Sequence, residues 1–154
     1  MSVTVSNKPL QDLSVMFYDA PHDPTPEVQF LSKDRLDFSV ESLTHVEEYL
    51  DHVRKQTHSG KPLQILVLRA GAYVGEVIRR HAKSKTWHWL DFKEASRLAP
   101  EIGNSGRTLD TSAVLWDSKA KFCFPLGKVM KYLKNGEEDS VRFFAQMVIG
   151  ETAG

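Results

Sequence analysis

The densest chemical signal in the chain is Arg79-Arg-His-Ala-Lys-Ser-Lys85 followed by Trp87-His-Trp89, which sets five basic or titratable side chains beside two indoles. Cations with interleaved aromatics suit an anionic or nucleic-acid ligand, because phosphates are attracted to positive charge and bases stack on flat faces. The same residues also suit a helix end. Arg and His satisfy terminal carbonyls and the negative end of the helix dipole, and large aromatics fill cores. A formal charge of zero, from 20 Lys plus Arg against 20 Asp plus Glu, weighs against a dedicated nucleic-acid domain.

Glu76 lies one turn before this segment. Helical spacing places it near Arg79 and Arg80 and on a side shared with Ala72 and Tyr73. A carboxylate on an otherwise apolar helix needs a partner, and Arg80 is the expected one. Two roles follow for Glu76. It is a structural ion pair fixing the turn after the helix, or it forms with Tyr73 and an arginine the polar floor of a pocket flanked by Trp87 and Trp89.

Other groups carry less. His45, Glu48 and His52 fall within two turns of one helix face, but the separation of the histidines exceeds that of compact zinc-binding pairs, so no metal is expected. Cys123 is the only cysteine, which excludes an internal disulfide, and between two phenylalanines it reads as a buried thiol. The sequence contains no nucleophile elbow, Walker loop or dinucleotide fingerprint, and no cofactor is expected.

The elements that must position these residues are legible in outline. Residues 1–36 show no sustained periodicity, and Asp19-Ala-Pro-His-Asp-Pro-Thr-Pro26 holds three of the seven prolines, so the segment is expected as an extended arm with a short strand near Val15–Tyr18. Residues 37–150 are expected to form one domain. After Ser39, Val40, Leu43, Val46, Leu50 and Val53 recur at three and four and predict a helix ending near Gly60. A second helix, from Pro62 to about His81, is apolar nearly all round and is expected at the centre of the fold. Gly71 and Gly75 lie on one side of it and would let another backbone approach closely.

Strands are expected over Thr86–Phe92 and Ala113–Asp117, the latter turning through Asp117-Ser118 into Lys121–Phe124 as a hairpin, with a short helix at Phe92–Leu98 and a loop at Gly103–Gly106. Two short helices, Gly127–Lys134 and Glu137–Ile149, close the chain. The order defines a single α+β domain with a small antiparallel sheet.

At 154 residues, 41% hydrophobic and 26% charged, the chain has an ordinary globular composition. Its apolar runs are too short for a membrane span and its amino terminus lacks a secretory pattern, so a cytoplasmic location is expected. Charge is uneven: residues 1–60 carry 5 basic and 10 acidic side chains, residues 61–107 carry 9 and 4, and residues 108–154 carry 6 and 6. The positive middle third complements the acidic first third within the fold or faces an acidic partner.

Leu36-Asp-Phe-Ser-Val-Glu-Ser-Leu43, Gly71-Ala-Tyr-Val-Gly-Glu-Val-Ile-Arg-Arg80 with a following tryptophan, and Pro125-Leu-Gly-Lys-Val-Met-Lys-Tyr-Leu-Lys-Asn-Gly-Glu-Glu-Asp-Ser140 resemble a group of small bacterial domains of unknown function. The resemblance spans residues 36–144 and implies a bacterial, cytoplasmic α+β domain, with Tyr73, Glu76, Arg80, Trp87, Pro125 and Lys128 on the motif positions. It implies no activity.

Three functional readings follow. The first is a non-enzymatic protein-binding domain, of the accessory or immunity type found in bacterial toxin systems, with a protein partner and no membrane association. The second is a small-ligand or anion pocket around Glu76 and Arg80. Its candidate residues are Tyr73, Glu76, Arg79, Arg80, Trp87, Trp89 and Lys128. The third, weak nucleic-acid binding through residues 79–89, is disfavoured by the neutral overall charge.

Overall fold

The computed structural model describes residues 2–153, which form seven α-helices and a three-stranded antiparallel sheet. The first correction to the sequence reading comes at once. Instead of an extended arm with a strand, Asn7–Met16 is a helix, α1, with Pro9 tolerated in its first turn. Leu10 and Phe17 are buried, Leu13 packs against the same core, and α1 lies along the central helix. Its amino terminus is tied to the sheet: the Ser6 amide donates to the Trp89 carbonyl at 2.7 Å, and the Trp89 amide donates to Asn7 Oδ1 at 2.7 Å.

The proline-rich segment that follows contains no helix or strand up to Pro26, yet it is firmly attached. Asp23 accepts from the Thr25 amide at 3.0 Å, from Lys33 Nζ at 3.2 Å and from Arg69 of the central helix at 3.3 Å. Tyr49 donates to the Pro26 carbonyl at 2.6 Å. Two single-turn 3-10 helices, Val28–Phe30 and Lys33–Arg35, lead onward, with Leu31, Leu36 and Phe38 buried.

Helix α2 (Leu43–Arg54) buries Leu43, Val46, Tyr49, Leu50 and Val53 at the three-four spacing read from the sequence. It starts later than expected because Ser39 caps a preceding turn, its Oγ accepting from the Ser42 amide at 3.1 Å. It also ends before Gly60. That glycine, at φ 70°, opens α3 (Gly60–His81) instead of closing α2.

Every residue of α3 from Arg69 to Ile78 is buried, which makes it the expected central helix. Its two glycines answer to different neighbours. A β-carbon on Gly71 would stand 2.7 Å from Leu126 Cδ1, and one on Gly75 would stand 2.0 Å from Trp89 Cζ2. The expected close backbone approach holds at Gly71, which also meets Leu126 Cα, whereas at Gly75 the neighbour is the Trp89 indole and not a backbone.

Strands β1 (His88–Asp91), β2 (Ala113–Trp116) and β3 (Phe122–Cys123) run in that order, with Trp89 opposite Leu115 and Leu115 opposite Cys123. Alternation divides their side chains. Trp89, Leu115 and Cys123 join the main core against α3, while Leu90 and Val114 join a second cluster under α4 (Phe92–Leu98) and α5 (Pro100–Asn104). The β2–β3 hairpin is as expected, whereas Gly103 and Asn104 belong to α5 and only Ser105-Gly106 leaves the helix. Helices α6 (Pro125–Asn135) and α7 (Val141–Ala153) complete the fold. Pro125 occupies the first turn of α6, so that helix begins two residues before the expected Gly127, and Glu137-Glu138-Asp139 form a 3-10 turn between the helices.

Candidate functional site

The carboxy-terminal turn of α3 emerges beside α1, and between them lies a cleft of about 690 Å³ continued by the loop 82–87. Five cations, Lys8, Arg79, Arg80, Lys83 and Lys85, line it against two carboxylates, Asp12 and Glu76. The cleft carries an excess of positive charge inside a neutral protein.

The floor is built around Glu76, which is 3% exposed. Its Oε2 accepts from Arg79 at 2.9 Å and from the Trp89 indole N–H at 2.9 Å, and its Oε1 accepts from Arg79 at 3.1 Å. Arg79 also donates through Nε to the Trp87 carbonyl at 2.9 Å, so one guanidinium joins α3 to the residue that precedes β1. The partner is therefore Arg79 and not the expected Arg80. Arg80 instead lies over the Phe38 ring, 3.6 Å from its centroid, a cation-π contact that holds its charge in place without neutralising it.

Two donors of this cleft are left uncommitted. Trp87 is one of the residues that line the cleft and is 5% exposed, and its buried indole N–H has no hydrogen-bond partner among the described residues. Buried donors of this kind are uncommon and cost free energy unless something accepts from them. Lys83, exposed on the loop, has no carboxylate partner among the described residues. By contrast, Lys85 is paired with Asp117 at 3.2 Å and Lys8 with Asp12 at 2.7 Å. The Lys8 pair is a surface contact that an incoming anion can replace at little cost.

His88 stands beside the same helix end. Burial, with a smaller contribution from the Arg79 charge, lowers its pKa from the usual histidine range, and its Nδ1 lies 2.9 Å from the Asn7 amide nitrogen, which donates to a neutral ring.

Of the seven candidate residues, Glu76, Arg79, Arg80 and Trp87 meet at this cleft, and Trp89 touches it only from beneath as the buried donor to Glu76. Tyr73 does not belong to it. Its hydroxyl accepts from the Phe38 amide at 2.9 Å and lies 2.7 Å from Ser42 Oγ, and burial, against the hydrogen bond it shares with Ser42, raises its pKa. Lys128 is elsewhere, on α6, paired with Asp139 at 2.9 Å beside a separate cavity of about 470 Å³. Lys8, Gln11 and Asp12 were missed because residues 1–36 were read as an arm. The signal for them was present in Leu10, Leu13, Ser14 and Phe17, a three-four pattern one helical stripe wide.

The histidines of α2 do not converge on one point. His45 lies 3.8 Å from Glu48, and His52 stacks on Phe30 with ring centroids 3.9 Å apart. Comparison with protein-family models, with curated proteins and with solved structures finds no match for the chain. None of the described helices is long and apolar enough to cross a membrane.

Proposed function

We propose that the protein is a non-enzymatic binding domain that recognises an acidic segment of a partner protein through the cleft between α1 and the end of α3. The observation that carries this reading is a cleft in which cations outnumber carboxylates, joined by the unpartnered, buried indole N–H of one lining residue, Trp87. An accepting, negatively charged group satisfies both at once. Glu76 supports binding over catalysis: each of its oxygens already accepts from Arg79 or Trp89, so it anchors the floor and is not poised to move a proton. Recognition without chemistry is also how an immunity-type or accessory protein acts, and that class is kept as the broader expression of the same reading.

A peptide fits the surface better than a nucleic acid. Trp87 and Trp89, which gave the basic segment its stacking character in sequence, are 5% and 0% exposed, so no base can lie on either face.

The test is a fluorescence-anisotropy titration of a labelled octaglutamate peptide against the protein and against K8E/K83E, both positions lying on the exposed rim. Binding should weaken about tenfold or more in the variant and should weaken with added salt in the parent. Equal affinity of the two proteins, or tighter binding of an oligothymidylate of the same length, would overturn the proposal.

A further inference from the structure

A second cavity, of about 500 Å³, lies away from the cleft, where the end of α2, the beginning of α3 and the outer face of α6 come together. Its character is opposite to that of the cleft. Val53, Leu63, Val67, Leu109, Met130 and Leu133 form an apolar wall, and Met130 remains 38% exposed although it faces this concavity. The volume is in the range that holds a small organic molecule.

The charged groups that line it, Arg54 and Lys134, share one sign, and among the described residues no carboxylate lines it. Arg54 lies against Gly136, and its guanidinium donates to the Lys134 carbonyl at 3.5 Å. His58 also lines the cavity, its Nε2 3.8 Å from Glu27, and among the described residues neither Arg54 nor Lys134 has a carboxylate within ion-pair distance. The first turn of α3 opens on the same space through Gly60, Leu63 and Gln64. That helix is the longest described, its N-cap Ser59 makes no side-chain capping bond, and its first turn contains no acidic residue. The positive end of its dipole therefore adds to the charge of Arg54 and Lys134 instead of being offset within the chain.

We propose that this cavity binds a small monocarboxylic acid with an apolar tail, the tail against Leu63, Val67, Met130 and Leu133 and the carboxylate at the α3 amino terminus between Arg54 and Lys134. Charge complementarity selects the occupant. An uncharged hydrocarbon would leave the rim cations and the helix end without a counterion, and a hydrophilic anion would leave the apolar wall in water. The site is independent of the octaglutamate cleft, since the two share no lining residue.

The probe is decanoate, followed by amide chemical shifts of the isotope-labelled protein, with decan-1-ol and acetate as comparators. Decanoate should shift the amides of Gly60, Lys61, Leu63 and Gln64 together with those of Leu133 and Lys134, and both comparators should bind about tenfold more weakly or less. Met130→Glu, at a partly exposed position, should reduce decanoate affinity about tenfold, and Lys134→Glu, on the exposed rim, gives the same reading should the first variant fold poorly. Decan-1-ol binding as tightly as decanoate, shifts confined to other parts of the chain, or unchanged affinity in a folded variant would each overturn the proposal.

Discussion

Replacing Glu76 by alanine tests the floor of the cleft directly. The change deletes the carboxylate that, among the described residues, alone pairs with Arg79, and with it the acceptor of the Trp89 indole N–H. Removing one member of a buried ion pair costs about 3–5 kcal/mol when the other is fully enclosed. Arg79 is not fully enclosed, its side chain being 17% exposed, and it keeps its bond to the Trp87 carbonyl, so about 2 kcal/mol is the reasonable share for the pair. Trp89 is 0% exposed, and its stranded donor adds about 1–2 kcal/mol. The sum is about 3–4 kcal/mol, which for a domain of this length lowers Tm by roughly 10 °C. Urea denaturation at neutral pH, analysed with the midpoint and slope together, measures it. Glu76→Gln keeps an acceptor for Trp89 and should lose about half as much. A loss below about 1 kcal/mol for the alanine variant would refute the buried-pair account of Glu76.

Other perturbations follow from the same contacts. Gly75→Ala drives a β-carbon into the Trp89 ring at a fully packed site and should destabilise by about 3 kcal/mol or more in the same denaturation experiment, whereas Gly60→Ala, with open space but φ 70°, should cost only about 1 kcal/mol. Tyr73→Phe strands the Phe38 amide and should cost about 1–2 kcal/mol without changing octaglutamate affinity, because Tyr73 is outside the cleft. Burial opposes the charged form of Asp117, yet the Lys121 and Lys119 amides and Lys85 Nζ outweigh it and hold its pKa below the usual carboxylate range. Its contribution to stability is therefore fully present above the unfolded value of about 3.9 and is lost as the pH falls through the lower folded value. Thermal melts across the acid range should show that loss in the parent and a shallower one in Asp117→Asn.

What the sequence made legible was governed by local pattern. The three-four spacing of α2, the unbroken apolar run of α3 and the aromatic strands around an Asp-Ser turn each reflect a periodicity that burial imposes on the chain, and the elements stand close to where they were read. Helix α1 was hidden because its stripe, Leu10, Leu13 and Phe17, is short and sits between a proline and a proline-rich loop. Its helicity comes from packing on α3 more than from propensity.

The candidate site was half legible for a related reason. Spacing brought Glu76 near both arginines, but the choice between them was made by partners distant in sequence. The Trp87 carbonyl accepts from Arg79, and Arg80 lies over the Phe38 ring. Tyr73 sits three residues before Glu76, yet at that separation its ring faces Phe38 and Ser42, which no local pattern reveals. Lys8 and Asp12 reach the cleft only because α1 folds across the end of α3.

Whether an acidic partner enters between α1 and the end of α3 is decided by a map of amide and indole chemical shifts on adding unlabelled octaglutamate. The account requires the largest changes at residues 8–15 and 79–87, with the Trp87 indole proton moving downfield as it gains an acceptor. A Trp87 indole signal that does not move, with changes scattered over other surfaces, would contradict it.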